Sequence, residues 1–127
     1  MENSIKDEIK KKYSKIVVSG NDDCCCMPGE CDPGDSPIDA TKLIGYNQKE
    51  LESIPQEAIL GVGCGAPINH TKLKEGEIVV DLGSGAGIDI FLAARKVLDS
   101  GKAIGIDMTD DMLEKARENA KKGNYPN

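Results

Sequence analysis

Aromatic residues are scarce in this chain of 127 residues. It has three Tyr, one Phe and no Trp, so its core must be built from aliphatic side chains, and we expect that core to be thin. Long apolar runs are also missing. A membrane-spanning helix needs about 18 consecutive apolar residues, and no segment approaches that length. The first residues also lack the apolar stretch of a secretory signal. These absences predict a cytoplasmic protein without a membrane partner.

Basic charge is in deficit as well. Sixteen Lys and Arg stand against 22 Asp and Glu, for a net charge of −6, and this excess of negative charge disfavours a phosphate backbone as partner. The Lys-rich stretch at residues 10–15 is interrupted by Tyr13 and Ser14, as on the solvated face of a helix. We therefore expect no nucleic-acid partner.

Five cysteines are present, at Cys24, Cys25, Cys26, Cys31 and Cys64. In a cytoplasmic protein they indicate thiols for metal, metalloid or redox chemistry rather than a disulfide framework. The spacing of the first four fits no regular zinc site, because Cys-x2-Cys pairs recur in such sites. Three roles stay open for that cluster: delivery of a metalloid, zinc binding, and a labile disulfide with Cys64. The single His, at position 70, is expected to be exposed and without a role.

The first part of the chain predicts helices and loops. Apolar side chains at helical spacing predict a packing helix over residues 4–17 with Ser4 as its N-cap; they are Ile5, Ile9, Tyr13, Ile16 and Val17. Residues 19–37 are rich in Gly, Asp, Pro and Cys, and their prolines predict a loop without regular helix.

Two short helices and a tight loop are expected next. One helix is predicted near residues 39–44, and a second after Asn47, where Glu50 three residues on completes a capping pattern. Residues 61–67 contain three glycines and one proline, so the backbone must turn tightly there. This loop presents Cys64.

The pattern changes after residue 76. An apolar, β-branched run at 78–82 leads into a glycine-rich turn, and apolar side chains at helical spacing follow over 88–98. A second apolar run at 103–107 precedes a helix for which Thr109 is the expected cap. Strand, helix, strand and helix in this order predict parallel strands joined by helical crossovers.

The glycine-rich turn carries the first chemical signal. Gly83, Gly85 and Gly87 alternate with small residues, which lets backbone amides and the N-terminus of the following helix approach a ligand. A dinucleotide-binding turn would have its last glycine at Ile88. NAD is therefore disfavoured.

Two acidic residues flank the turn. Asp81 lies two residues before Gly83 and suits a ligand with a positive amino group better than a pyrophosphate. Asp107 ends the second strand, 20 residues past Gly87, where a carboxylate can accept both ribose hydroxyl protons. Together they predict a nucleoside with a cationic amino-acid tail. A structural glycine turn with two helix-capping or solvent-facing acids is the simpler alternative.

These residues resemble a known superfamily. Residues 80–87, VDLGSGAG, look like motif I of the class I S-adenosylmethionine-dependent methyltransferases, and residues 106–109 resemble the second-strand acidic motif. The resemblance implies S-adenosyl-L-methionine as cofactor, with its methionine moiety at the turn, its ribose on Asp107 and its adenine against Met108. The predicted cofactor-binding residues are Asp81, Gly83, Ser84, Gly85, Gly87, Asp107 and Met108.

A narrower resemblance, to the prokaryotic arsenite methyltransferases, covers about residues 40–122. It rests on GCGAP at 63–67, LKEGEIV at 73–79 and DMT at 107–109. It implies that Cys64 is an arsenic ligand at the catalytic centre, with Cys24, Cys25 and Cys26 as further candidate ligands, and that the substrate is arsenite or its thiol conjugates. Ala66 departs from the pattern, since many relatives carry Asn there.

The resemblance also implies a fold. We expect an α/β protein with an N-terminal helical and Cys-rich region at residues 1–75, followed at 76–127 by the first β-α-β-α unit of a Rossmann-like sheet. Because family members continue with more strands and cysteines, we expect the chain to be incomplete and inactive by itself. Unpaired strands at 78–82 and 103–107 predict self-association.

Two other functions stay open. One is a methyltransferase for another small acceptor, in which the cysteines only pack. The other is a thiol-rich metalloid-binding module without catalysis.

Overall fold

The computed structural model describes residues 2–19 and 36–127. Cys24, Cys25, Cys26 and Cys31 lie outside the described residues, so the predictions for them stay predictions. The elements in chain order are α1 (Glu2–Ser19), α2 (Pro37–Leu43), α3 (Gln48–Glu52), β1 (Ile78–Leu82), α4 (Ile88–Val97), β2 (Lys102–Ile106) and α5 (Asp110–Lys122). Short 3-10 turns at Gln56–Ala58 and Pro67–His70 lie between α3 and β1. In the described ranges, no helix combines the length and apolar character needed to cross a membrane.

The two strands form a parallel sheet. Their register runs from Ile78 opposite Lys102 to Leu82 opposite Ile106. Two neighbouring parallel strands need a long crossover connection, because a tight hairpin turn can join only antiparallel strands. That connection is α4, which packs on both strands. The predicted α/β class and the β-α-β-α order are confirmed.

One hydrophobic core joins the segment between α2 and β1 to α4. Its buried members are Tyr46, Leu51, Ile54, Ala58, Ile59, Ala66, Ile68, Ile90, Phe91, Leu92 and Ala93. The Phe91 and Tyr125 rings pack with centroids 4.7 Å apart. Three of the four aromatic residues therefore lie in or against this core, where each covers more area than an aliphatic side chain would.

The other face of the sheet carries exposed apolar side chains. We call it the open sheet face; its residues are between 37% and 78% exposed and comprise Ile78, Val80, Leu82, Ile104 and Ile106. Side chains alternate along a strand, so Val79 and Asp81 lie on the opposite side, toward α4. Parallel sheets are normally covered on both faces, and this one is covered on a single face by the described residues.

Helix α1 is longer and less buried than predicted. It begins at Glu2, so Ser4 lies inside the helix and is not its N-cap. Ile16 is buried, but the predicted apolar stripe is otherwise mostly exposed, with Ile5 at 62%. The reason is that α1 packs against α5 and contributes no residue to the main core.

Three predictions about the ends of helices and strands have different outcomes. Pro37 begins α2 rather than preventing helix, because the first helical residue needs no backbone N–H partner. Asn47 and Glu50 form the predicted capping box at the start of α3. Strand β2 ends at Ile106, which leaves Asp107 just beyond it.

Candidate active site

The chain turns sharply between β1 and α4. Gly83, Gly85 and Gly87 have φ angles of 82°, 53° and 108°, a region that residues with a side chain rarely adopt. A Cβ on Gly83 would meet no atom within 4 Å, whereas a Cβ on Gly87 would overlap the ring of Phe91. Gly83 therefore borders open space at the carboxyl end of β1, and Gly87 is needed for the close packing of α4.

The backbone amides of this turn donate within the chain. The N–H groups of Gly83 and Ser84 donate to the carbonyl oxygen of Ile106 at 2.7 and 3.0 Å. The N–H of Gly85 donates to Oδ2 of Asp107 at 2.9 Å. The end of β2 therefore accepts the hydrogen bonds of these three amides, and the predicted contact of the turn with a ligand stays a prediction. The glycines provide room rather than free donors.

Asp107 fastens the turn to the start of α5. While Oδ2 accepts from Gly85, Oδ1 accepts from the backbone N–H of Thr109 at 2.8 Å. Thr109 is the N-cap residue of α5, as predicted, but its side chain makes no capping hydrogen bond. The next residue, Met108, is 47% exposed and available for contact.

Three partly buried carboxylates lie near one another at this end of the sheet: Asp81, Asp89 and Asp107. Burial raises the pKa of Asp81, and the negative charge of Asp107 raises it further. Burial also raises the pKa of Asp89. A hydrogen bond from Tyr46 lowers this pKa, whereas the negative charge of Asp81 raises it. Asp81 and Asp107 are thus brought together, as predicted, and Asp89 joins them. Such a concentration of negative charge favours a cationic ligand.

Sequence reasoning missed Tyr46 and Asp89. The Tyr46 side chain is 4% exposed, and its hydroxyl donates to the Asp89 carboxylate, whose two oxygens lie 2.8 Å away. Burial and this bond raise the pKa of Tyr46 far above its ordinary value, so the hydroxyl stays protonated. Because aromatic residues are scarce, the sequence alone draws attention to Tyr46. The partner of Tyr46 lies 43 residues along the chain, and no local spacing reveals that pairing.

The Ser84 side chain lies on the other side of the turn. It is 5% exposed, and its Oγ would be 2.7 Å from a Cβ on Gly105. Within the described part of the chain this Oγ has no hydrogen-bond partner. Ser84 is thus packed against β2, and the open space lies at Gly83.

Cys64 is exposed on the loop before the second 3-10 turn. The loop packs on the turn between α2 and α3: a Cβ on Gly63 would lie 3.1 Å from Cδ1 of Ile44, and Nδ2 of Asn69 donates to the Gly45 carbonyl at 2.7 Å. Residues 2–19 and 36–127 contain no group of three or more His, Cys, Asp or Glu arranged to hold a metal ion. The loop presents Cys64 as predicted, and His70 is exposed, also as predicted.

A cleft of about 510 Å³ opens next to the acidic end of β2. It lies between α1 and the first turn of α5, and it is lined by Lys10, Lys11, Ser14, Lys15, Thr109, Asp110 and Asp111. Asp107 and Met108 directly precede this lining in the chain, so the cleft adjoins the carboxylate group described above.

Comparison with known proteins finds methyltransferases. Residues 73–127 match the model of a methyltransferase domain. The chain is 38% identical over 129 residues to the arsenite methyltransferase of Halobacterium salinarum, covering 96% of this chain and 33% of the relative. It is 29% identical over 111 residues to the arsenite methyltransferase of Aquipseudomonas alcaligenes, covering 84% of this chain and 28% of the relative. The chain thus spans about a third of the length of these relatives.

A solved structure is similar as well. It is that of a SAM-dependent methyltransferase from Aquifex aeolicus, with a TM-score of 0.46, 28% identity and coverage of 73% of this chain and 44% of that one. The methyltransferase assignment itself rests on the matched domain model and on the two relatives. The matches therefore support an S-adenosylmethionine-dependent methyltransferase, and the chain is similar to the arsenite methyltransferases over nearly its whole length.

Proposed function

We propose that this chain forms the cofactor-binding segment of an S-adenosylmethionine-dependent methyltransferase whose acceptor is trivalent arsenic, as arsenite or its thiol conjugates. One observation carries the proposal: Asp81 and Asp107 flank a glycine turn that is open at Gly83, and Asp107 is bonded to that turn at Gly85. The methyltransferase domain match and the similarity to arsenite methyltransferases support it. A cytoplasmic location belongs to the same proposal.

The residues at the turn fit this cofactor in charge and in shape. The absence of a side chain at Gly83 leaves room for the methionine moiety, and Asp81 offers a negative partner to its ammonium and sulfonium groups. Each Asp107 oxygen accepts one backbone hydrogen bond, which leaves a lone pair on each for a ribose hydroxyl. The exposed Met108 side chain offers an apolar contact for the adenine.

Arsenic chemistry enters through Cys64. S-adenosylmethionine supplies, when bound, a methyl group on a positively charged sulfur. Trivalent arsenic is soft and prefers thiolate ligands, so the Cys64 thiolate would hold it with its lone pair toward the methyl carbon. In this position the arsenic lone pair would accept the methyl group that the bound cofactor would supply, with S-adenosylhomocysteine as the leaving group. The protein contributes position and electrostatics.

Cofactor binding is tested by calorimetry with S-adenosylhomocysteine. We expect Asp107→Ala to weaken binding by at least about tenfold, because two ribose contacts and the tie to the turn are lost together. Asp99→Ala is the matched control, since Asp99 is exposed and lies at the opposite end of β2. Circular dichroism of each variant checks that it is folded. Unchanged affinity in a folded Asp107→Ala chain rejects the cofactor assignment.

Arsenite binding is tested separately by the shift of the thermal unfolding midpoint. We expect arsenite to stabilise the native chain and to lose that effect in Cys64→Ser, whereas His70→Ser, which changes a nearby exposed residue, keeps it. Cofactor binding without any arsenite effect favours a methyltransferase for another small acceptor. Arsenite binding without cofactor binding favours a metalloid-binding module that lacks catalysis.

Self-association is a further part of the proposal. The open sheet face presents five aliphatic side chains at 37% to 78% exposure, and a second copy of the chain could cover them. Burial of apolar area would be the driving force.

A further inference from the structure

The bond between Tyr46 and Asp89 joins two regions that carry the proposed chemistry. Tyr46 lies in the turn on which the Cys64 loop packs, and Asp89 is the second residue of α4, directly after the glycine turn. The hydroxyl lies 2.8 Å from both carboxylate oxygens. Both side chains are partly or fully buried, so this contact is shielded from water and stronger than a surface bond.

The backbone on both sides of Tyr46 is held in place. Gly45 has a φ of 116°, and its carbonyl accepts the hydrogen bond from Asn69. Asn47 and Glu50 close the capping box immediately after Tyr46. The phenol ring is in turn buried in the main core. The Tyr46 hydroxyl is therefore a fixed donor, and no reorganisation is needed to keep it on Asp89.

Asp89 adds a negative charge that no cation of the described residues offsets. The ion pairs in residues 2–19 and 36–127 involve other acids, namely Asp39, Glu57 and Glu118. The charged group that faces Asp89 is Asp81, which repels it. A tyrosine hydroxyl and the first turn of a helix both favour an ionised carboxylate. The Tyr46 bond thus offsets part of the cost of burying the Asp89 carboxylate beside a second acid.

We propose that Tyr46 is a positioning residue for the cofactor: it holds the Asp89 carboxylate beside Asp81 at the glycine turn, so that the pair binds the cationic amino-acid end. This inference rests on the proposed function and deepens it, because it names the groups that distinguish a charged nucleoside from a neutral one. Tyr46 acts through Asp89 and touches no reacting atom.

The proposal has a pH signature. The groups that face Asp89 are Tyr46, from the turn before α3, and Asp81, at the end of β1; Glu50 on α3 lies near Tyr46, and Asp107 lies near Asp81. Burial raises the pKa of Asp89, and the Tyr46 bond holds that rise back. In Tyr46→Phe the restraint is gone, so Asp89 takes up its proton at a higher pH than in the native chain.

The experiment compares two nucleosides by calorimetry between about pH 5 and about pH 8. S-adenosylmethionine carries the cationic tail, and 5′-methylthioadenosine is the neutral thioether without it. We expect Tyr46→Phe to weaken S-adenosylmethionine binding by about tenfold near pH 6 and less near pH 8, with 5′-methylthioadenosine unaffected. Asp89→Asn, which keeps the size of the side chain, should weaken it at both pH values. Tyr13→Phe, a hydroxyl removal on the exposed side of α1, is the control.

The outcomes separate this inference from the proposed function. If the native chain binds S-adenosylmethionine and Tyr46→Phe binds it equally at every pH, the role of Tyr46 is rejected while the cofactor assignment stands. Equal losses for both nucleosides indicate a general structural role and also reject it. If the native chain binds neither nucleoside, both proposals fail. Carboxyl ¹³C titration of Asp89 by NMR gives a readout without ligand: an unchanged midpoint in Tyr46→Phe contradicts the inference.

Discussion

Single residues decide the shape of the turn at the candidate site. Gly83, Gly85 and Gly87 all have positive φ, but they do so for different reasons. Gly83 borders open space, whereas Gly87 lies against the Phe91 ring, where no Cβ fits. The first therefore concerns ligand access and the last concerns the packing of α4.

Gly87→Ala tests the packing reason. We expect it to lower the free energy of unfolding by about 3 kcal/mol, because the substitution strains the backbone and pushes against Phe91. Gly65→Ala is the control: a Cβ there meets nothing within 4 Å, so the change should stay within about 0.5 kcal/mol. Urea denaturation measures both. Equal stabilities of the two variants would contradict the role assigned to Gly87.

The acidic group makes stability depend on pH. Burial raises the pKa of Asp81 above its ordinary 3.8, with the charge of Asp107 adding to the rise. The folded chain then binds this proton more tightly than the unfolded chain, so stability falls as pH rises from 3.8 through the raised value. We expect Asp81→Asn to be more stable than the native chain near pH 7, with a smaller difference near pH 4. Urea midpoints at the two pH values measure this. A pH-independent gain in Asp81→Asn would contradict the explanation.

At the scale of elements, α5 and the glycine turn are tied together. Asn119 on α5 is fully buried, and its Nδ2 donates to the carbonyl of Ala86 at 3.2 Å. Asp107 makes the second tie, from Gly85 to the backbone at Thr109. The position of α5 therefore sets the position of the turn, and through it the position of the acids around it.

Removal of the Asn119 side chain is expected to lower the free energy of unfolding by about 2 kcal/mol. Asn119→Ala leaves the Ala86 carbonyl without its partner and opens a small cavity. Glu118→Ala, one residue earlier on the exposed side of α5, should change stability by less than about 0.5 kcal/mol. Thermal or urea unfolding distinguishes them. A harmless Asn119→Ala would mean that α5 is held by other contacts.

For the whole molecule, the sheet has one covered and one open face. The covered face meets α4 and the main core, and the open sheet face exposes aliphatic side chains of both strands. Exposed apolar patches of this kind favour association. This is the physical basis for the proposed self-association.

Analytical ultracentrifugation tests it. We expect the native chain to form dimers or larger species as concentration rises, and Val80→Lys to shift the equilibrium toward monomer, because it places a charge in the middle of the open sheet face. Ser100→Lys adds the same charge at an exposed site elsewhere and should leave association unchanged. A compact native monomer at high concentration rejects the proposal.

Local chemistry accounts for what could be predicted from the sequence alone. Neighbouring residues alone determine the β-branched runs, the glycine turn and the Asn47 capping box. The order and type of the elements could therefore be predicted from periodicity and turn chemistry. The acid at position 107 followed from its distance to the turn. The end of β2 and the start of α1 shifted by one or two residues, as helix and strand ends commonly do.

Only the tertiary structure decided which groups meet. The bond from Tyr46 to Asp89 spans 43 residues and that from Gly85 to Asp107 spans 22, and no spacing rule foretells either. The same holds for the internal use of the turn's amides and for the exposure of most of the α1 stripe. Neighbouring residues determine local backbone shape, whereas burial, charge proximity and free donors depend on how distant segments pack.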